Sequence, residues 1–109
     1  MSRDGAGELV LMLHDRGLPG DVAAAAALGG RWSFRELEGL ARACDAGFSL
    51  DELVMRLEYA EFIADDEYAA HGDGPEIRRF AAAWVAEVKL RRADDGDAEY
   101  DVPDTPGVD

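Results

Sequence analysis

Few side chains in this sequence have the types needed for acid–base or nucleophilic chemistry. The chain contains two histidines, His14 and His71, and a single cysteine, Cys44. Catalysis requires a positioned acid, base or nucleophile in a pocket, and histidine is the residue that most often supplies the base. His14 lies at the predicted end of the first helix, where an imidazole can satisfy late carbonyl groups. Cys44 falls on an apolar helix stripe, which predicts a buried, inert thiol. We therefore expect a protein that is not an enzyme.

Carboxylates are abundant, but their spacing does not follow that of metal sites. Glu67 and His71 are four residues apart, and Glu58, Glu61 and Asp65 follow a spacing that shares one helix face. A two-metal site in a helical bundle needs a second helix with a Glu-x-x-His pair, which the next helix lacks. The glycine turns also lack the lysine and the strand context of a phosphate-binding loop. The sequence therefore predicts no metal site and no cofactor.

The charge balance limits the classes of partner. The chain has 24 acidic and 11 basic residues, a formal net charge of −13. This charge repels phosphate backbones, so direct DNA binding is disfavoured, whereas a basic protein surface is favoured. Nucleic-acid-binding proteins offer such surfaces, and carboxylates on this chain could imitate the phosphates that those surfaces bind. One cysteine excludes an intrachain disulfide, and the N-terminus lacks the basic start and apolar run of a signal peptide. We expect a cytoplasmic protein that does not enter a membrane.

The hydrophobic pattern predicts an all-α fold, a compact bundle of four to five helices. Two Ser-x-x-Glu capping boxes mark the starts of the third and fourth helices, with Ser33 and Ser49 as N-caps. Asp21 is expected to cap the second helix and Pro75 to open the fifth. Gly47 is expected to end the third helix in a left-handed conformation. The predicted helices cover residues 7–16, 22–28, 34–46, 50–71 and 75–92.

Helices three to five are expected to form the centre of the bundle. Their apolar stripes follow helical spacing and define the predicted core. The core positions are Phe34, Leu37, Leu40, Ala41, Cys44, Leu50, Leu53, Val54, Leu57, Ala64, Ile77, Phe80, Ala81, Trp84 and Val88. Residues 93–109 carry seven carboxylates, two prolines and no cation. This composition predicts a disordered acidic tail after a single domain of residues 1–92.

Residues 31–57 contain a capped helix, a glycine turn and a second capped helix. The segments that carry this outline are Trp32-Ser33, Glu36-Leu37, Leu40, Gly47-Phe48-Ser49 and Glu52-Leu53. With them the chain resembles the helix-turn-helix superfamily, particularly its Myb-like members, which implies a DNA-reading second helix. The residues that follow are mostly acidic, so phosphate contact there would be repulsive.

A DNA-binding role would have to use the basic cluster of helix five. Its members are Arg78, Arg79, Lys89, Arg91 and Arg92. We expect these cations to complement the C-terminal helix dipole or to pair with nearby carboxylates, which leaves little free positive charge.

Helix four also carries a second apolar line beside its core stripe. The line consists of Met55, Tyr59 and Phe62, and its flanking carboxylates are Glu58, Glu61, Asp65 and Asp66. Apolar anchors rimmed by carboxylates suit a basic partner, so these seven residues are the candidate partner-binding site. The alternative is that a helix enclosed on two sides buries both of its stripes.

Three functional hypotheses remain open. The first is a non-enzymatic inhibitor or regulator that binds a basic protein surface as a nucleic-acid mimic. In composition the chain is similar to small phage-encoded acidic inhibitors of nucleic-acid machinery, anti-CRISPR proteins among them. The second hypothesis is a structural or assembly adaptor that forms homo- or hetero-oligomers. The third is a helix-turn-helix transcription regulator, as the resemblance implies.

Overall fold

A computed structural model describes the backbone of residues 2–99 and the side chains of residues 2–94. Within this range the chain is helical and contains no strand, which confirms the all-α prediction. The six α-helices are α1 (Arg3–Asp15), α2 (Pro19–Ala26), α3 (Phe34–Cys44), α4 (Leu50–Tyr59), α5 (Asp65–Tyr68) and α6 (Gly74–Glu99), and a 3-10 turn covers Ala60–Phe62. Residues 93–99, assigned above to a disordered tail, continue α6 instead. Residues 100–109 of that predicted tail lie outside the described residues.

Helix α1 is longer and more central than the sequence indicated. It begins four residues early because the Ser2 hydroxyl accepts a hydrogen bond from the Gly5 N–H at 3.0 Å. It packs against α2, α3 and α4, and Val10 and Leu13 are fully buried. The centre of the fold is therefore built on α1 as well as on the later helices, whereas the sequence predicted helices three to five at the centre. After α1 the chain turns at Gly17, whose φ of 66° favours glycine.

The crossing of α1 and α3 depends on Gly7. A Cβ atom at this position would lie 2.6 Å from the carbonyl oxygen of Leu40 and 2.8 Å from Sγ of Cys44. The two helix backbones can approach this closely only because position 7 has no side chain. Cys44 is exposed as a residue, which corrects the prediction of a buried thiol, although its Sγ faces α1. Partial burial raises the pKa of the thiol, as do the charges of Asp4 and Glu8.

Asp21 links the first two helices but is not the cap predicted from the sequence. Helix α2 begins at Pro19, so Asp21 lies within its first turn. The buried carboxylate accepts the Leu18 N–H at 3.1 Å and two hydrogen bonds from Arg16, at 3.1 and 2.6 Å. This paired arrangement compensates the burial of the carboxylate, and it also raises the pKa of Arg16.

The two capping boxes behave differently. At α3 both hydrogen bonds form: Glu36 N–H donates to Ser33 Oγ, and Ser33 N–H donates to the Glu36 carboxylate, which lowers the pKa of Glu36. At α4 Ser49 Oγ accepts the Glu52 N–H at 3.3 Å, but the Ser49 N–H donates to Nε2 of His14. His14 of α1 therefore accepts the hydrogen bond that the Glu52 side chain would accept in a complete capping box.

The end of α3 also differs from the prediction. The glycines with positive φ in the described chain are Gly17 and Gly72, so Gly47 does not adopt the left-handed conformation expected for it. Asp45 ends α3 in an extended conformation, and its carboxylate accepts the Gly47 N–H at 2.8 Å. An Asx-type turn therefore performs the function assigned to the glycine.

Helix α4 stops at Tyr59, whereas the sequence predicted a helix to about residue 71. Ile63 and Ala64 adopt extended conformations and separate the 3-10 turn from α5. The Tyr68 hydroxyl donates to the Ala60 carbonyl at 2.8 Å, and Arg78 donates to the Ile63 carbonyl at 3.2 Å. Side chains from later in the chain thus satisfy the carbonyls that the break leaves free. Ala64 is consequently exposed rather than part of the core.

Large side chains join α3 to α6. Phe34 stacks on Trp84 with ring centroids 5.1 Å apart, and Phe80 meets both rings edge-on. Deeper in the same contact, the Glu38 carboxylate accepts a hydrogen bond from Trp84 Nε1 at 2.8 Å and two from Arg91, at 2.9 and 2.6 Å. These hydrogen bonds raise the pKa of Arg91. The remaining predicted stripe positions on α3, α4 and α6 are buried or partly buried.

No helix in the described range is long and apolar enough to cross a bilayer.

Candidate functional site

Three large apolar side chains project into solvent along the end of α4 and the 3-10 turn. The exposed fractions are 54% for Met55, 63% for Tyr59 and 83% for Phe62. We call these three residues the α4 apolar surface. The alternative considered above, in which the bundle buries both stripes of this helix, does not hold within the described residues. A large aromatic side chain this exposed is unusual on a soluble domain.

The position of α4 at one side of the fold explains this exposure. Its core stripe, which includes the fully buried Leu53 and Leu57, faces α1 and α6. Met55 and Tyr59 are four residues apart and therefore share a different helix face. The break after Tyr59 then turns the chain, so that Phe62 follows on the 3-10 turn while Ala60 and Ile63 point into the core.

The 3-10 turn is held by a buried tyrosine. Tyr68 is fully buried, and its hydroxyl donates to the Ala60 carbonyl. Burial raises the pKa of Tyr68, so this phenol keeps the proton that the hydrogen bond requires. The neighbouring Asp65 forms an ion pair with Arg78 of α6. These contacts fix the backbone that carries Phe62.

The four predicted rim carboxylates fall into two groups. Glu58 pairs with Lys89 at 3.2 Å, and Asp65 pairs with Arg78, so their charges are already compensated within the chain. Glu61 and Asp66 are exposed and form no ion pair with any described side chain. Glu67 is exposed in the same way, although the site prediction did not include it. The uncompensated negative charge therefore lies at Glu61, Asp66 and Glu67, next to Phe62 in the chain.

The cations of α6 that a DNA-binding role would need are mostly engaged. Arg78 and Lys89 form the pairs just described, and Arg91 pairs with Glu38 and Glu87. Arg92 pairs with Asp51 of α4 at 2.5 Å. Among these five residues, Arg79 alone forms no ion pair with a described side chain. Phosphate binding on this face would have to break intramolecular pairs.

His14 is held in place on both sides of its ring. Nδ1 lies 2.7 Å from the Asp15 carboxylate, and Nε2 accepts the backbone N–H of Ser49 at 3.1 Å. The ring also packs against Phe48, with centroids 5.2 Å apart. The Ser49 hydroxyl is occupied as the α4 cap and does not contact the imidazole. The His14 ring therefore joins α1 to α4 through the Ser49 backbone, and the Asp15, His14 and Ser49 side chains do not form a hydrolytic triad.

The carboxylates considered as metal ligands do not converge on the second histidine. His71 lies against α2, where a Cβ atom at Gly20 would be 3.1 Å from its ring. Within the described side chains, no group of three or more potential ligands is close enough to share an ion.

Comparisons of the chain with protein-family models, with curated proteins and with solved structures gave no match.

Proposed function

We propose that this protein acts by binding a basic surface of another protein through the α4 apolar surface and the adjacent carboxylates Glu61, Asp66 and Glu67. The observation that carries this proposal is the 83% exposure of Phe62, with exposed carboxylates close to it in the chain that form no ion pair with a described side chain. Exposed aromatic groups with a charged rim have the composition of a binding hot spot.

The energetics favour a partner that supplies arginine or lysine. Burying Phe62 and Tyr59 removes apolar area from water, at about 25 cal/mol per Å². The carboxylates are solvated and unpaired, so an incoming cation replaces water without breaking an existing ion pair. The net charge of −13 also accelerates the approach of a basic protein at low salt. Proteins that handle nucleic acids present such basic surfaces, and occupying one would inhibit or regulate its owner.

Capture from a lysate of the native host with matched variants of the tagged protein tests this proposal. The double variant Tyr59→Ser/Phe62→Ser removes two anchors, and Leu90→Ser removes an apolar side chain of similar exposure, 67%, on α6. We expect the double variant to lose a specifically retained basic protein, with an affinity loss of at least about 30-fold per central aromatic anchor. Leu90→Ser should retain it. Thermal melts of all variants should agree with the wild type, because the replaced side chains are exposed.

The charged rim has its own test within the same experiment. Glu61→Gln/Asp66→Asn should weaken capture of the partner at low salt. The difference from the wild type should be smaller at high salt, because salt already screens the attraction between the carboxylates and the basic partner. Glu8→Gln, an exposed acidic site on α1, serves as the control. Retention of the same partner by the Tyr59/Phe62 double variant would contradict the proposal. A defined oligomer in light scattering that this variant dissociates would instead support the assembly hypothesis.

A further inference from the structure

A concave region lies away from the α4 apolar surface, between α2, the start of α3 and the first half of α6. It is a cleft of about 630 Å³, a volume within the range typical of small-molecule sites. The cleft exists because α3 and α6 are held together mainly by long side chains and not by close backbone contact. The tight backbone packing seen between α1 and α3 is absent here, so a gap remains above the Phe34–Trp84 stack.

The walls of the cleft are largely apolar and aromatic. The alanines of α2, among them Ala26, line one side, and Phe80 of α6 lines the other. Phe34 also lines the cleft, with its ring centroid 5.4 Å from that of Phe80. Trp32 is a partly buried lining residue, and the Arg31 guanidinium lies over its ring, 5.0 Å from the centroid. A flat aromatic group fits such walls, because aromatic faces and edges pack favourably on one another.

The charged groups around the cleft are predominantly acidic. Asp73, Glu76 and Glu87 contribute carboxylates, and Arg79 contributes a guanidinium. Glu87 is engaged by Arg91, and Asp73 accepts the N–H of Glu76 at the start of α6. Glu76 is exposed and forms no ion pair with a described side chain. His71 is the remaining titratable group at the rim. A positively charged ligand atom therefore meets the Glu76 carboxylate at the opening, and the charge of the whole chain adds to the attraction, whereas Arg79 opposes it.

From these walls and this rim, we infer that the cleft binds a small aromatic cation. The aromatic ring lies against Ala26, Phe34 and Phe80, beside Trp32, and an ammonium group lies near Glu76. This site does not depend on the α4 apolar surface, since the two share no residue. The cleft is therefore a ligand site additional to the proposed protein-binding surface.

A matched series of three naphthalene derivatives tests the inference. The probes are 2-naphthylmethylammonium, neutral 2-naphthalenemethanol and anionic 2-naphthoate. Binding is followed by NMR, because the two tryptophans provide two indole N–H resonances. We expect the ammonium probe to shift the Trp32 resonance most and to bind about fivefold more tightly than the alcohol, as for an exposed ion pair. The naphthoate should bind more weakly than the alcohol. Equal affinities for the three probes, or no binding of any at millimolar concentration, would overturn the inference.

Variants of the rim and the wall locate the ligand. Glu76→Gln should remove most of the preference for the ammonium over the alcohol, and Arg79→Gln should increase that preference, because each variant removes a single charge at the opening. Glu61→Gln removes the same charge on the α4 side and should have no effect. Trp32→Ala should lower the binding affinity of all three probes. Ala26→Leu should block them by filling the cleft, and the unchanged Trp84 indole resonance would report an intact fold. Undiminished binding to the folded Trp32→Ala and Ala26→Leu proteins would place the probes elsewhere and reject the site.

Discussion

The side chain of Glu38, only 4% exposed, forms the most deeply buried ion pair among the described residues, with Arg91. Its carboxylate also accepts the Trp84 indole N–H, so one group connects α3 to two positions on α6. The Arg91 Nε atom is buried without an acceptor, which shows how little spare hydrogen-bonding capacity the cluster has. Removing the Glu38 charge leaves a largely buried guanidinium whose remaining carboxylate partner is the half-exposed Glu87.

We therefore expect Glu38→Gln to lower the free energy of unfolding by about 3 kcal/mol, since it preserves the shape of the side chain but removes its charge. Urea unfolding monitored by circular dichroism measures this loss. Glu87→Gln is the control: it affects the same arginine from a half-exposed position and should cost less than about 1 kcal/mol. Equal losses in the two variants would show that the burial of Glu38 does not determine how much this ion pair contributes to the free energy of unfolding.

Tyr68 predicts a dependence of stability on alkaline pH. Burial raises the pKa of its phenol, so the folded state holds this proton more tightly than the unfolded chain does. The stability linked to the phenol is complete below pH about 10, the pKa of an exposed tyrosine, and is lost as the pH rises further. The urea midpoint of the wild type should therefore fall as the pH is raised above about 10, in part through this group.

Comparison with Tyr68→Phe isolates that contribution. This variant should lose about 1 kcal/mol at neutral pH, because the Ala60 carbonyl loses its donor, but its stability should depend less on alkaline pH. Tyr59→Phe changes an exposed phenol and should keep the slope of the wild type. An unchanged slope in Tyr68→Phe would show that Tyr68 does not contribute to it.

Among the elements, the crossing of α1 and α3 has the strictest geometric requirement. A Cβ atom at Gly7 would collide with the Leu40 carbonyl oxygen, whereas a Cβ atom at Gly39 would meet nothing within 4 Å. Both glycines are within helices, where alanine is intrinsically preferred by about 0.5–1 kcal/mol. The same substitution should thus have opposite effects at the two positions.

We expect Gly39→Ala to stabilise the protein by up to about 1 kcal/mol and Gly7→Ala to destabilise it by about 1–3 kcal/mol, the usual cost of overpacking. Thermal and urea unfolding of both variants would measure the difference. If Gly7→Ala were as stable as Gly39→Ala, α1 and α3 could not be in the close contact described here.

The helices also show which sequence signals were sufficient to predict where an element begins and ends. The Ser33 box predicted the start of α3 correctly because both of its hydrogen bonds are local. The signal for α4 predicted its start but not its end, because the break after Tyr59 depends on hydrogen bonds from Tyr68 and Arg78. Likewise, the seven predicted site residues could be named from helical spacing, but their exposure depends on which side of α4 the other helices cover.

For the whole molecule, the net charge is the property that should influence how fast a basic partner associates. Residues 100–109 contain three of the 24 carboxylates and no cation, so their removal changes the charge from −13 to −10. If the α4 apolar surface carries partner binding, this truncation should slow association at low salt and leave the dissociation rate unchanged. Surface plasmon resonance with the captured partner at two salt concentrations would measure both rates. A large increase in the dissociation rate would assign direct contacts to these terminal residues.

The sequence by itself determined the all-α class, the starts of α3, α4 and α6, and most of the core positions on those three helices. These properties follow from local capping and from the helical repeat, which act over a few residues. The tertiary structure decided which ion pairs form, where α4 ends, that Glu38 is buried, and that Met55, Tyr59 and Phe62 remain exposed. It also created the aromatic cleft, because a space between α2, α3 and α6 exists only once these helices are packed. Such features depend on contacts between residues far apart in the chain, which a local pattern does not encode.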